Sequence, residues 1–145
     1  MTAEVIYTQW LRTLGGFEAF RELFRLTALV RGYDLEAVFD DVSKCYLAPY
    51  LQGVPEVAED SDEWIHVVWA ANRLAYAVLL RRRAVVTKYT VSEATKENAA
   101  PLSSRTLAEI RTYRTAAVGY LKTALEGLGV QYFPCRFIPL LDDEI

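Results

Sequence analysis

Apolar residues recur at helical spacing along five stretches of the chain, and glycine, proline or acidic residues separate one stretch from the next. Gly15 and Gly16 break the pattern near the N-terminus, Gly32 is a predicted C-cap, and Pro49 ends the third stretch. The pattern predicts a mainly α-helical fold, a bundle of four to five helices. The predicted helices cover residues 2–13, 17–31, 34–47, 61–82 and 104–127.

Capping residues mark where two of these helices begin. Asp34 is a good N-cap for the third helix, because its carboxylate can accept a hydrogen bond from a backbone N–H of the first turn. Asp60 followed by Glu63 has the reciprocal form of a capping box and predicts the start of the fourth helix.

The fourth predicted helix is apolar on more than one side. Trp64, Ala71 and Val78 fall on one face, and Trp69 and Tyr76 fall on the opposite face. A monomer of 145 residues has difficulty covering such a helix completely. We therefore expect part of this helix to form an interface between subunits.

The same apolar run does not have the properties of a membrane span. Residues 64–80 contain His66, Asn72 and Arg73, whereas a bilayer core needs about 20 apolar residues with few charges. The beginning of the sequence lacks the basic and then apolar pattern of a signal peptide. We expect a protein that is made in the cytosol and has no membrane contact.

Residues 84–91 change the pattern, because β-branched and aromatic side chains dominate there. They predict a short extended or β-hairpin-like insertion over about residues 84–100. A lone strand leaves its backbone groups unpaired, so we expect it to pair with the C-terminal tail or with another chain. The candidate inter-subunit strand comprises Val85, Val86, Thr87, Tyr89 and Val91.

The sequence predicts a single helical domain over residues 1–128 and an extended C-terminal arm over residues 129–145. Pro134 and Pro139 are incompatible with a regular helix in the arm. The arm either packs across its own body or lies on a neighbouring molecule, and both alternatives remain open. Its candidate docking residues are Tyr132, Phe133, Phe137, Ile138, Leu140 and Leu141.

The balance of charge argues against a protein that binds nucleic acid over its whole surface, since the net charge is −3. One basic cluster is present. Its cations could contact DNA phosphates or an acidic partner, or could simply complement the dipole at a helix C-terminus. The cluster comprises Arg81, Arg82, Arg83 and Lys88.

Residues that carry catalysis or bind metals form no convincing pattern. His66 is the single histidine, so a histidine-based metal site is not expected. Cys45 and Cys135 are 90 positions apart; we interpret them as buried thiols, and a disulfide between them remains an alternative. The sequence predicts no enzyme, no cofactor, no metal and no small-molecule ligand.

The order of elements resembles that of phage head–tail adaptors, also called head-completion or connector proteins. The run VSKCYLAPYL at residues 42–51 is similar to the helix that ends near an aromatic residue, a leucine and a proline in that family. The run WAANRLAYAV at residues 69–78 is similar to its long alanine-rich helix. Residues 85–91 resemble its extended segment, and residues 107–128 its last helix.

The resemblance implies a structural virion protein, made in the host cytoplasm, that forms a ring at the head–tail interface. The ring would contain about twelve copies, contact the portal protein and the tail or a second adaptor, and pass DNA with at most non-specific contact. An apolar helix, a strand and an arm would supply the contacts between subunits.

Two other functions remain open. One is a cytosolic helical regulator, or an immunity-type protein, that binds a single protein partner and folds its tail onto its own body. The other is a ligand-binding or catalytic bundle with an aromatic pocket. That pocket would be formed by Trp64, Trp69, Tyr76, Tyr113 and Tyr120.

Overall fold

The computed structural model describes residues 1–26, 32–90 and 104–133; the side chains of Tyr33, residues 83–90 and Ser104 are outside the description. Within these ranges the protein is mainly helical and contains no β-strand. The elements are α1 (Ala3–Leu14), α2 (Phe17–Leu23), α3 (Gly32–Val42), a π-helical turn (Ser43–Leu47), α4 (Ala48–Leu51), α5 (Asp62–Thr90) and α6 (Ser104–Leu128). The π-helical turn joins α3 to α4 without a loop, so the predicted count of four to five helices is confirmed.

Glycines separate α1 from α2 as predicted. Gly15 has φ 92° and donates its N–H to the carbonyl of Leu11, 3.0 Å away, which ends α1. Gly16 has φ 100°, also in the region that favours glycine. Helix α2 is much shorter than the predicted helix over residues 17–31, because Arg25 adopts a left-handed conformation with φ 54° that no α-helix can contain.

The third predicted helix contains an irregularity that periodicity does not reveal. The N–H of Ala48 bonds to the carbonyl of Ser43, five residues earlier, so one extra residue is inserted in this turn. Asp34 lies within the first turn of α3 rather than at its N-cap, so the predicted cap is wrong.

Helix α5 begins one residue later than the capping pattern indicates and ends later than expected. The Ser61 side chain accepts a hydrogen bond from the N–H of Trp64 at 3.2 Å, so Ser61 and not Asp60 caps the helix. At the other end, the helix continues to Thr90 instead of stopping at residue 82.

The extended or β-hairpin-like insertion over residues 84–100 is therefore not supported. The proposed strand residues Val85, Val86, Thr87 and Tyr89 lie in the last two turns of α5. An existing helix gains one hydrogen bond for each added residue, whereas a strand here would need a partner. This outweighs the β preference of the side chains. Val91 and the rest of the insertion lie outside the described residues.

Helices α5 and α6 pack along each other in antiparallel directions. Tyr76 contacts Tyr113 with ring centroids 4.8 Å apart, and Trp69 contacts Tyr120 at 5.3 Å. The earlier residue of α5 thus pairs with the later residue of α6, as antiparallel packing requires. Near the other end, a Cβ at Gly127 would lie 2.8 Å from Glu63, which shows how closely the helices approach there. The pair forms the long axis on which α1 to α4 pack.

The remaining helices bury an aromatic cluster against α5. The rings of Trp10 and Phe39 stack with centroids 3.9 Å apart, and Phe17 and Phe20 pack edge-on against Phe39. Of these, Trp10, Phe20 and Phe39 are fully buried. The cluster ties α1, α2 and α3 together and supplies much of the apolar burial that stabilises the fold.

Buried polar groups in this region have partners. The indole nitrogens of Trp10 and Trp64 donate to Asn72 Oδ1 at 2.8 Å and Thr13 Oγ1 at 2.9 Å. Gln9 Nε2 donates to the carbonyl of Val57 at 2.7 Å. These bonds avoid the cost of burying unpaired polar atoms and fix the position of α1 relative to α5.

Candidate functional site

An apolar groove opens on the surface where α1, α2, α5 and α6 meet, with a volume of about 560 Å³. Leu23 and Trp69 stand at its rim with 56% and 43% of their surfaces exposed, which makes them two of the most exposed large apolar side chains described. We call it the Trp69 groove. Its apolar lining includes Leu14, Leu23, Phe24, Ile65, Trp69 and Tyr113.

Stacked aromatic rings hold the walls of the Trp69 groove in place. Phe24 lies parallel to Tyr76 with ring centroids 4.4 Å apart, and Tyr113 packs edge-on against Tyr76 at 4.8 Å. Trp69 packs edge-on against Tyr120. A groove lined by side chains that are already packed on their neighbours can receive an apolar partner with little loss of side-chain entropy.

His66 belongs to the same aromatic surface. Its ring lies 5.2 Å from Trp69 and 6.1 Å from Tyr120, and its Nδ1 atom is 2.7 Å from the carbonyl of Asp62. These contacts pack the His66 ring into the aromatic surface next to Trp69 and Tyr120.

One cation lies at the groove. The guanidinium of Arg73 stands 4.6 Å from the centroid of Tyr120, and its Nη1 atom donates to the carbonyl of Trp69 at 3.1 Å. No carboxylate within the described residues forms an ion pair with it. Arg73 therefore gives an otherwise apolar groove a preference for a partner with negative charge near one end.

The polar side chains at the base of the groove are engaged inside the protein. Asn72 accepts from Trp10, and Thr13 accepts from Trp64 while donating to the carbonyl of Gln9 at 2.8 Å. The side-chain oxygens of Asn72 and Thr13 are thus already engaged in hydrogen bonds within the protein. This arrangement suits the binding of an apolar chain segment.

A second groove, of about 640 Å³, lies between α1 and α3 and is largely charged. Lys44 donates to Asp40 at 2.7 Å in an exposed i, i+4 pair, and this hydrogen bond raises the pKa of Lys44. Burial, followed by the charges of Glu36 and Asp40, raises the pKa of Tyr7. We interpret this surface as a solvated face.

The basic cluster is only partly described. Arg82 forms an ion pair with Asp41, which connects α5 to α3. The side chains of Arg83 and Lys88 lie outside the described residues. Contact of this cluster with DNA or an acidic partner remains a prediction, and Arg82 would have to exchange Asp41 for that partner.

The first residues of the predicted C-terminal arm pack on the body of the same molecule. Tyr132 stacks on Tyr50 with centroids 5.6 Å apart, and the Tyr50 hydroxyl donates to the carbonyl of Phe133. Lys122 Nζ lies 4.9 Å from the centroid of Tyr132. The docking residues Phe137, Ile138, Leu140 and Leu141 lie outside the described residues.

The five aromatics of the alternative pocket do not line one cavity. Trp64 is completely buried and points to Thr13, whereas Trp69 with Tyr120 and Tyr76 with Tyr113 form pairs along the α5–α6 surface. Sequence reasoning missed Leu23 and Phe24 as groove residues. It placed them inside a continuous helix, and it gave no sign that this helix packs where its end lines a groove with residues of α5.

The described residues contain neither a metal-binding cluster nor a membrane-spanning helix. No group of three or more histidine, cysteine, aspartate or glutamate side chains is arranged to hold a metal ion. None of the described helices has an apolar stretch long enough to cross a bilayer. Cys45 lies half-buried in the π-helical turn, and because Cys135 lies outside the description, their pairing remains a prediction.

Comparisons with known proteins identify no relative. No protein-family model, curated protein or solved structure matches this chain. The function is therefore inferred from the geometry of the Trp69 groove and from the sequence.

Proposed function

We propose that this protein is a structural subunit that acts through contacts with other proteins, and specifically a ring-forming subunit of a phage head–tail connector. The observation that carries the proposal is the exposed apolar rim of the Trp69 groove, formed by Leu23 and Trp69. Exposed apolar patches of this kind mark protein interaction sites in soluble proteins. Aromatic residues such as Trp69 are typical anchors of such interfaces.

The element order supports the connector assignment in part. Residues 42–51 fall on the last residue of α3, the π-helical turn and α4, residues 69–78 on α5, and residues 107–128 on α6, which is the order of helices in the family that the sequence resembles. The extended segment of that family has no counterpart in residues 85–90, which are helical. A ring subunit joins neighbours through two different surfaces, and the Trp69 groove provides one of them.

In this proposal the protein is a virion component with no catalytic step. About twelve copies would close a ring beneath the portal protein, with the tail or a second adaptor on the other side. The acidic overall charge would let DNA pass through the lumen without tight binding.

One observation favours a second candidate, the cytosolic regulator or immunity-type protein with a single partner. The packing of Tyr132 and Phe133 on Tyr50 is the arrangement expected if the tail folds onto its own body. In that case the Trp69 groove would receive the partner, and the complex would have a small, fixed stoichiometry.

Native mass spectrometry, on the protein alone and with a candidate portal ring, separates the two proposals. A closed complex of about a dozen copies in either condition supports the connector. A protein that stays monomeric or dimeric with every portal ring offered contradicts it and favours the regulator. A variant with Leu23→Ser and Trp69→Ala should lose assembly, whereas Val5→Ser, which truncates a side chain 48% exposed outside the groove, should not.

A further inference from the structure

We propose that residues 134–145 of one copy bind in the Trp69 groove of the neighbouring copy. This inference rests on the proposed assembly into rings, and it names the contact that joins one subunit to the next. The segment is 12 residues long and contains four large apolar side chains followed by three acidic ones. These are Phe137, Ile138, Leu140 and Leu141, then Asp142, Asp143 and Glu144.

The apolar part of the segment matches the lining of the groove. Side chains alternate along an extended chain, so Phe137 and Leu141 share one side and Ile138 and Leu140 share the other. Either side would bring two large apolar groups to the rim at Leu23 and Trp69. Because Asn72 Oδ1 and Thr13 Oγ1 at the base of the groove already have partners inside the protein, a polar segment would find few acceptors there to replace its hydrogen bonds to water, whereas an apolar one needs none.

The acidic end of the segment matches the charge of the groove. Arg73 contributes a cation that has no carboxylate partner among the described residues, and Arg25 is exposed just beyond Phe24. The segment places Asp142, Asp143 and Glu144 directly after Leu141, and Ile145 follows them. Opposite charges at the end of an apolar contact fix the direction in which the segment lies in the groove.

The path of the chain favours the groove of a neighbour over that of the same molecule. Residues in a helix advance by about 100° each, so Lys122, nine positions after Tyr113, lies on the opposite side of α6. Tyr113 lines the groove, whereas Lys122 covers Tyr132 at the start of the arm. The arm therefore leaves from the side of α6 that faces away from its own groove.

The segment is long enough to reach a second molecule. Twelve extended residues span at most about 40 Å, which exceeds the diameter of a helix several times. A segment that leaves one copy and enters a groove on another makes a head-to-tail contact between two different surfaces, and contacts of this type close into rings.

Photochemical crosslinking in the full-length chain tests the inference. A photoreactive benzoylphenylalanine replaces Phe137 in one sample and Leu140 in a second, and isotopically light and heavy chains are mixed under the conditions that give assembly, or at high concentration if none do. We expect light–heavy pairs crosslinked at Leu23, Trp69 or their neighbours in the groove. The same photoreactive residue at Val5 should give no crosslinks to the groove.

Variants test the groove independently. Leu23→Ser combined with Trp69→Ala should lower the yield of groove crosslinks at least fivefold, and Val5→Ser should leave it unchanged. Arg73→Gln should lower it less than the apolar pair does, because the charge assists a contact that the apolar groups dominate.

The outcomes separate this inference from the proposed function. A full-size ring whose crosslinks fall outside the groove overturns the inference and leaves the connector intact. Groove crosslinks that join residues of a single chain also overturn it, because the arm would then cover its own body. A protein that gives only single-chain masses and no light–heavy pairs contradicts both proposals.

Discussion

The indole nitrogen of Trp10 donates a hydrogen bond to Asn72 Oδ1 across 2.8 Å, and both side chains are buried. Asn72 is a polar residue in the middle of α5, among the buried side chains of Ala71 and Leu74. Its amide is the acceptor that allows a buried tryptophan in α1 to pack against α5. The same asparagine forms part of the base of the Trp69 groove, so the core and the groove share this residue.

Removal of either partner of this bond should destabilise the protein. Asn72→Leu leaves the Trp10 N–H buried without an acceptor, and Trp10→Phe leaves the Asn72 amide without its donor. We expect each to lower the free energy of unfolding by about 1–3 kcal/mol in urea denaturation. The double variant should lose less than the sum of the two single variants, because the pair is then removed together. Strict additivity would show that the bond contributes nothing.

Ser43 should respond in the opposite way. Its hydroxyl is fully buried and has no hydrogen-bond partner among the described residues. Ser43→Ala therefore removes an unsatisfied polar group and should leave the midpoint of urea denaturation unchanged or raise it. Thr13→Val is the matched comparison, because that hydroxyl accepts from Trp64, and it should cost about 1 kcal/mol. A clear loss of stability in Ser43→Ala would contradict this account.

Arg25 occupies a position that glycine would fill with less strain. It has φ 54°, and the surrounding bonds, Leu26 N–H to Arg21 carbonyl at 2.8 Å and Arg25 N–H to Glu22 carbonyl at 3.3 Å, form a Schellman motif. Arg25→Gly should raise the melting temperature, by an amount corresponding to about 0.5–1 kcal/mol. Arg25→Ala keeps the strain and should not stabilise. Equal stabilisation by both would point to the charge instead of the backbone.

Alkaline pH should weaken the fold through Tyr7. Burial, Glu36 and Asp40 raise its pKa above the ordinary value of 10.0, so the folded protein holds the phenolic proton more tightly than the unfolded chain. The stability contributed is complete below that value and is lost as the pH rises through the folded pKa. We expect urea midpoints to fall less between pH 9.5 and about pH 11.5 in Tyr7→Phe than in the parent protein.

Tyr50 should control access to the start of the arm. Tyr50→Phe retains the ring that stacks on Tyr132 but removes the hydroxyl that donates to the Phe133 carbonyl. Cleavage by chymotrypsin at Tyr132, which Phe133 follows, should become several times faster, while the far-ultraviolet circular dichroism stays unchanged. Thr112→Val, which removes an exposed hydroxyl bonded only within α6, should leave the cleavage rate as it is.

Periodicity predicted the helices well where local signals agree with the final structure. The paired glycines at positions 15 and 16 and the helical stripe of α6 gave boundaries within one or two residues. The predictions failed where packing against another element, or the backbone conformation of a single residue, determines the structure. The residues around Arg25 give no sign that it adopts a left-handed conformation. The β-branched residues after position 84 continue the helix that precedes them, despite their preference for strands.

The candidate site was harder to predict than the fold. The second apolar face of the fourth predicted helix contains Trp69, which is partly exposed in the structure, but a groove needs residues from several elements. Leu23 of α2 and Trp69 of α5 line the same groove only through the packing of the fold, which no local pattern encodes. The interface function assigned to this face remains a prediction that assembly measurements must test.

The π-helical turn at residues 43–47 determines the direction in which the side chains of α4 point. One additional residue rotates α4 by about 100° relative to an uninterrupted α-helix. Tyr50 faces the chain at Tyr132 in this rotated setting. Deletion of a single residue from the turn would keep the helix but rotate Tyr50 away from Tyr132. The point at which the C-terminal arm leaves the body is therefore determined some ninety residues earlier in the sequence, by one extra residue in a helical turn.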